Sequence, residues 1–421
     1  MSSENKSHPI KIHGGHDCPL AFEIRDFLKR SAIDFEWHEL RTKEDACKLP
    51  GIGDVDDALL PLVELTDGTQ LYHPCVRDLA ERFGFLAKPK FEKYDLTIYG
   101  AGPAGLSAAV YAASEGLKTA LIERHALGGQ AGTSSRIENY LGFPEGVSGA
   151  ELADRARQQA LKFGCEILQF REGVYAEFID GEIHAHLTDG SKMISRANIC
   201  ATGVDYRRLD LPNERNFIGA GLFYGAGYSE APLIVDETVY IVGGANSAGQ
   251  AAMHFSLFAK KIVLLVRSGK LTTMSEYLTK RVLSKPNIEV RFLTAVVGLD
   301  GVDCLAEITL RHLKDGTEET VPCKHLFVAI GGSPHTEWAR NTPIIRDDKK
   351  YIVTGTDMYV DGRPPAIWTL ERPPYFLETS VPGCFAAGDV RHNSVKRYAT
   401  AVGEGAMAVT FVHRFLAGID A

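Results

Sequence analysis

The chain has 421 residues, is 45% hydrophobic and 24% charged, and carries a formal net charge of −8 at pH 7. That length holds about two to four domains, and the mildly acidic balance without a basic run excludes nucleic acid as a partner. No apolar stretch nears the roughly 20 residues that span a bilayer, so no membrane contact is expected. The polar start, Met1 to Lys6, reads as no signal peptide. The eight cysteines include no CxxC pair and no metal-ligand spacing; no metal and a reduced, cytoplasmic setting are expected.

In chain order, residues 9–13 read as a strand, and Pro19 to Arg30 as a helix with Phe22, Ile24, Phe27 and Leu28 apolar. Phe35 to Leu40 alternates as a strand, and Lys43 to Leu49 reads as a short helix. Leu59 to Leu65, the turn Thr66-Asp67-Gly68-Thr69 and Gln70 to Tyr72 read as a hairpin. Pro74 opens a helix that Gly84 stops. This βαβαββα order, with Cys18-Pro19 at the first loop-to-helix junction and Pro61 opening the third strand, resembles a glutaredoxin, so residues 1–88 are expected to be a glutaredoxin/thioredoxin-like domain. The resemblance implies a cis Leu60-Pro61 peptide facing Cys18. Ala21 replaces that family's second cysteine, and its Gly-Gly pair for glutathione is missing near Tyr72-His73-Pro74. Cys18, at a helix N-terminus, is a candidate one-thiol relay; the alternative is a degenerate domain kept for docking or dimer contacts. Residues 86–93 read as a linker.

Next comes an apolar strand, Tyr94 to Tyr99, then Gly100-Ala101-Gly102-Pro103-Ala104-Gly105, a helix, and a second strand ending in Glu123. This is the dinucleotide-binding βαβ fingerprint. Gly100 permits the tight turn, Gly102 lets backbone approach a pyrophosphate, and Gly105 allows close helix–strand packing. The pyrophosphate sits on the helix N-terminus, and Glu123 accepts hydrogen bonds from an adenosine ribose.

The long polar run after Glu123, containing Gly128-Gly129-Gln130 and Glu138-Asn139-Tyr140, resembles the flavin loop of the low-molecular-weight thioredoxin reductases. On that match Gly129, Gln130 and Asn139 contact the flavin. Gly149 to Phe163 reads as an amphipathic helix stopped by Gly164, and Ala201-Thr202-Gly203 resembles the family's crossing beside the cofactor.

A second fingerprint follows: strand Val239 to Val242, then Gly243-Gly244-Ala245-Asn246-Ser247-Ala248-Gly249 and a helix. The repeat implies two nucleotides, one of them a nicotinamide. The next strand ends in Arg267, with Lys270 close behind. A cation there accommodates the 2′-phosphate of NADP where an acid favours NAD, so NADPH is favoured and NADH remains open. Thioredoxin reductases of this shape carry a redox-active Cys-x-x-Cys just upstream; here Gly225 and Tyr228 occupy those two positions.

Leu326 to Ile330 reads as a buried strand, and residues 340–379 as a connection, a flap or a docking surface. Gly388-Asp389 resembles the motif whose carboxylate binds the ribityl chain of FAD, and Lys396-Arg397-Tyr398 precede a small-residue helix. By resemblance these cations and the helix N-terminus lie near the flavin and favour its reduced, anionic form.

The expected architecture is therefore α/β: two Rossmann-like domains, one inserted in the other, behind a small thioredoxin-fold domain. The FAD-binding parts are residues 94–210 and 331–421, and the NAD(P)H-binding part is 211–330, with hinges near Pro212 and Gly331-Gly332. The resemblance implies an FAD-dependent NAD(P)H oxidoreductase of the thioredoxin reductase-like type, a homodimer, passing hydride to FAD and then to an acceptor that the sequence does not name. Two alternatives stand beside it: a flavin-binding protein with a docking role and little turnover, and a ferredoxin-dependent flavoenzyme.

Overall fold

The computed structural model describes residues 9–15, 18–31, 33–132, 137, 140–212, 214–218, 220–224, 234–302 and 304–419. The N-terminal elements are β1 (Ile10–Gly15), α1 (Pro19–Arg30), β2 (Phe35–Leu40), α2 (Lys43–Ala46), β3 (Leu62–Glu64), β4 (Gln70–Tyr72) and α3 (Val76–Arg82). Then come β5 (Lys93–Tyr99), α4 (Pro103–Ser114), β6 (Thr119–Glu123), α5 (Gly129–Gly132), α6 (Gly149–Lys162), β7 (Glu166–Gln169), β8 (Gly173–Ile179), β9 (Glu182–Leu187), β10 (Lys192–Cys200) and β11 (Val204–Tyr206). The next stretch holds α7 (Glu214–Phe217), β12 (Leu222–Tyr224), β13 (Thr238–Val242), α8 (Asn246–Phe255), β14 (Lys261–Val266), α9 (Glu276–Ser284), β15 (Ile288–Phe292), β16 (Thr294–Asp300), β17 (Glu307–His312), β18 (Glu318–Pro322) and β19 (Leu326–Val328). The chain ends with β20 (Gly332–Pro334), β21 (Cys384–Ala386) and α10 (Tyr398–Ile419).

Two compact units form, residues 1–79 with 206–331, and residues 80–205 with 332–421. The second unit is built on a sheet of order β7-β6-β5-β10-β9-β8, with β21 also on β10. The strands β7, β6, β5, β10 and β21 run parallel, while β9 and β8 form an antiparallel extension. Leu96, Ile98, Ile199 and Phe385 are buried in one core with α4 and α10 residues Ala108, Ala112, Ala408 and Val412. Each large apolar side chain buried this way contributes about 1.5–3 kcal/mol. Small residues set the helix spacing: a Cβ on Gly405 of α10 would overlap the carbonyl oxygen of Ala104 on α4.

In the first unit a five-stranded parallel sheet, β12-β19-β13-β14-β15, stands beside a three-stranded antiparallel sheet, β16-β17-β18. The N-terminal residues add a four-stranded sheet of order β2-β1-β3-β4, β1 being parallel to β2 and antiparallel to β3. The Leu60-Pro61 peptide is cis. Pro19 starts α1 with its φ already suited to a helix, and Ala21, Ile24, Phe27 and Leu28 form its buried face. Phe22 makes a separate contact: its ring centroid lies 5.2 Å from that of Phe223 on β12. The aromatic run continues to Phe327 at 4.9 Å and Phe255 at 4.4 Å. Helix α2 stops at Ala46, shorter than the expected Lys43–Leu49; Thr42 and Asp45 form its capping box, and Pro50 disfavours helical backbone at Leu49.

The 340–379 stretch is pinned at its C-terminal end. Arg372 donates to both carboxylate oxygens of the fully buried Glu378 at 2.7 and 2.9 Å. Tyr375 stacks on Phe411 of α10 at 5.3 Å. Among the described residues no helix is long and apolar enough to cross a membrane, and no group of three His, Cys, Asp or Glu side chains is placed to hold a metal.

Candidate functional site

The first cradle is built at the β5–α4 turn. Gly100 has φ +99°, and a Cβ there would overlap the carbonyl oxygen of Ala201. A Cβ on Gly105 would overlap the carbonyl oxygen of Gly100, so only glycine lets the helix close onto the strand. Gly102 is the N-cap of α4 and Pro103 its first residue. On its open side a Gly102 Cβ would have only the Gly129 Cα at 4.0 Å, leaving the backbone accessible. Pro103, with no N–H to satisfy, presents the helix N-terminus with its remaining donors free for an anion.

Around this turn the structure gathers most of the expected contacts. Glu123 is buried at the end of β6, its two oxygens accepting from the N–H groups of Ala101 at 2.7 Å and His125 at 2.9 Å. Each oxygen keeps a second lone pair, which a ribose hydroxyl can use. Gly129 opens α5 beside Gly102, and the Gln130 Nε2 donates to the Val204 carbonyl at 3.1 Å. Thr202 donates through Oγ1 to the His335 carbonyl at 2.8 Å, and Gly203 has φ +67°. Gly388, with φ +79°, lies against Ala104: a Cβ there would be 3.0 Å from that of Ala104. Asn139 lies outside the described residues.

The Gly388-Asp389 loop is held from α10. Glu404 accepts from the Gly388 N–H at 2.7 Å and from Arg391 Nη2 at 2.6 Å, both side chains of the ion pair being more than 90% buried. The Asp389 carboxylate receives no hydrogen bond from any described residue, and its surroundings push its pKa up through burial, with Lys396 opposing and Glu404 adding to the rise. A desolvated carboxylate without donors is the group that sugar-alcohol hydroxyls satisfy. Lys396 donates to the Asp389 carbonyl and to Ser394 Oγ at 2.9 Å, with Nζ 4.3 Å from the Tyr351 ring centroid. Arg397 is exposed. Tyr398, the first residue of α10, meets Tyr140 edge to face at 4.9 Å. The residues present therefore fit an FAD: a glycine cradle at a helix N-terminus, a buried acid for the ribose and an unsatisfied acid on the opposite loop.

The second cradle is the β13–α8 turn. Gly243 has φ +148° and faces the Ala329 carbonyl, and Gly249 packs against Met274 and Leu278, where a Cβ would clash. Ala245 is the N-cap of α8. Asn246 is turned away from the helix axis, its Oδ1 accepting from the Ser275 N–H at 2.7 Å. Ser247 is exposed and Ala248 buried on the sheet. Arg267, immediately after β14, is exposed and makes no ion pair among the described residues, as an anion-binding side chain requires. Cys18 is the half-buried N-cap of α1, its carbonyl accepting from the Phe22 N–H at 3.1 Å. Gly225 and Tyr228 lie outside the described residues.

Sequence reasoning missed the Arg391–Glu404 pair and also a cluster of Arg124, Glu172, Asp205 and His335. The His335 Nδ1 is 2.8 Å from Asp205 Oδ2 and its Nε2 is 2.6 Å from Glu172 Oε1. Arg124 donates to Asp205 Oδ1. The only signal was the adjacency of Arg124 to Glu123, since Glu172 and His335 are 163 residues apart.

Residues 94–405 match the family model described as pyridine nucleotide-disulphide oxidoreductase. Over 331 residues the chain is 32% identical to NADPH-dependent thioredoxin reductase 3 of Arabidopsis thaliana, covering 76% of this chain and 58% of that protein. It is also 32% identical over 316 residues to the thioredoxin reductase of Treponema pallidum, covering 75% and 94% of the two chains. The crystal structure of Lactococcus lactis thioredoxin reductase superposes with a TM-score of 0.68 at 26% identity, covering 77% of this chain and 99% of that one. With the model matched across both cradles, this chain belongs to the pyridine nucleotide-disulphide oxidoreductase family.

Proposed function

We propose that this protein is an FAD-dependent NADPH oxidoreductase of the thioredoxin reductase-like type whose electrons leave by a route other than a Cys-x-x-Cys disulfide. One observation carries the reading: two complete dinucleotide cradles stand in a chain that has no CxxC. FAD and NADPH are its cofactors, and when bound they supply hydride acceptance and hydride donation. The N-terminus of α4 holds the flavin nucleotide's pyrophosphate, Glu123 its ribose and Asp389 its ribityl hydroxyls. Gln130, tied to Val204, orients an amide toward the ring, and Lys396 keeps positive charge beside the Gly388-Asp389 loop. The N-terminus of α8 holds the second pyrophosphate, and Arg267 with Lys270 selects the 2′-phosphate, so NADPH is preferred over NADH. The FAD-binding parts are residues 94–210 and 331–421, and the NADPH-binding part is 211–330. The protein works as a homodimer in the reducing cytosol. Residues 1–88 form a thioredoxin-like domain in which Cys18 serves as a one-thiol relay to a protein or small-molecule acceptor.

The test is anaerobic stopped-flow mixing of the FAD-loaded protein with NADPH and, separately, NADH, read at the flavin absorbance. Bleaching within seconds with NADPH, and slower bleaching with NADH, is the expected result. No bleaching with either nucleotide, in a protein that dithionite reduces, refutes the NADPH reading. A Cys18→Ser variant that keeps full disulfide-reducing activity refutes the relay.

A further inference from the structure

The Arg124–Glu172–Asp205–His335 cluster lies where the chain leaves and re-enters the flavin-side unit. The unit boundaries fall between residues 205 and 206 and between 331 and 332. Asp205 is the last residue on one side, and His335 follows the short strand β20 on the other. Their backbones are laced together: the His335 N–H donates to the Gly203 carbonyl at 3.1 Å, and Thr202 Oγ1 and Trp338 Nε1 donate to the His335 carbonyl at 2.8 and 3.0 Å.

The ring geometry favours the charged form of His335. Both ring nitrogens face carboxylates at hydrogen-bond distance. A neutral imidazole has one N–H and would set a lone pair against one of those carboxylates; only the imidazolium donates to both. Arg124 donates to Asp205 and also brings Nη1 to 3.3 Å from Nδ1, where it meets a lone pair only when the ring is neutral. The cluster thus balances two cations against two carboxylates.

We propose that His335 is a positioning residue: as an imidazolium shared by Asp205 and Glu172, it locks the paired crossing segments that carry Thr202, Gly203 and the Gln130 acceptor Val204. The groups facing the ring are Asp205 from β11, Glu172 from the loop before β8 and Arg124 from the end of β6. Asp205 raises the His335 pKa most, burial and Arg124 oppose it, and Glu172 adds a further rise. A raised folded pKa means the clamp is fully present below the unfolded value of 6.5 and is lost as pH climbs through the folded value. Above that point Nε2 keeps its proton toward Glu172 while Nδ1 accepts from Arg124, so the His335–Asp205 hydrogen bond is the one that is lost.

The experiment is amide hydrogen exchange on the FAD-loaded protein across pH, corrected for the intrinsic base-catalysed rate, with the His335 imidazole titrated in parallel by NMR. In the wild type, His335 is expected to titrate above 6.5, and exchange in residues 203–206 and 333–336 to rise roughly tenfold through that titration. His335→Gln is expected to show the faster exchange at every pH, with no step. Titration at or below 6.5, or a step that survives in His335→Gln, overturns the proposal. If that variant fails to fold, Glu172→Gln carries the test: a lowered midpoint supports the clamp, and an unchanged one overturns it. Flavin reduction by NADPH is recorded separately. Its failure in the wild type would refute the oxidoreductase reading and leave the exchange result standing.

Discussion

Glu404→Gln tests whether the Gly388-Asp389 loop is held by a buried charge. The substitution keeps the side chain's shape and removes its charge. Glu404 accepts three hydrogen bonds, from Gly388 N–H at 2.7 Å, Arg391 Nη2 at 2.6 Å and Arg391 Nε at 3.3 Å. The neutral amide must turn its NH2 either toward Arg391 Nη2 or toward Gly388 N–H and Arg391 Nε, so one or two donors lose their acceptor and the guanidinium is left buried without a counter-charge. Breaking a buried pair from one side costs about 3–5 kcal/mol. In a unit of about 200 residues, each kcal/mol moves the melting temperature by roughly 2–4 °C, so the expected fall is roughly 6–20 °C. The assay is thermal release of FAD fluorescence from the loaded protein, with Arg391→Met and the double variant completing a cycle. Removing both partners should cost less than the two single changes together, because no uncompensated charge remains. A shift under about 2 °C for Glu404→Gln, or strictly additive losses, would refute the claim that this pair holds the loop.

Two shorter predictions concern the cradles. Arg267→Gln removes an exposed guanidinium that nothing else in the described structure uses; a lost charge-assisted bond to phosphate should raise KM for NADPH roughly 10- to 100-fold while leaving KM for NADH nearly unchanged. Equal loss for both nucleotides would show that Arg267 is not the phosphate contact. Gly105→Ala forces a methyl group into the Gly100 carbonyl and should abolish FAD retention on gel filtration; a yellow variant with normal flavin content would contradict the close helix–strand packing.

What the sequence made legible was local and periodic. The glycines at 100, 102 and 105 declare a turn, and the alanine-rich α4 and acid-terminated β6 follow at short range, so pattern alone located the first cradle. The second cradle was legible for the same reason. Glu404, Arg391 and His335 were not, because an ionisable residue in a helix or loop reads as a surface charge until the fold buries it. Glu404 lies within a helix, and only packing of α10 beneath the Gly388 loop turns its carboxylate inward. The amphipathic pattern of α1 exposed its core face through Ile24, Phe27 and Leu28 but gave no reason to separate Phe22 from them. That distinction is tertiary: Phe22 points to a different partner.

Phe22 also bears on how the N-terminal segment is used. Phe22 lies on the side of α1 turned toward Phe223 of β12. The N-terminal segment and the nucleotide-binding sheet belong to one compact unit, with Phe22 packed on the core that contains Phe223, Phe255 and Phe327. Phe22→Ala removes a half-buried ring from this contact; roughly half the cost of a core Phe→Ala change, about 1–2 kcal/mol, is expected. That corresponds to a factor of about 5–30 in the open population of the contact. The assay is limited proteolysis in the 80–93 connection together with amide exchange in β12 and α1. Faster cleavage and faster exchange at Phe223, with β13 and β14 unchanged, is the expected result. If exchange at β12 is unaltered, the ring contact does not hold the two parts together.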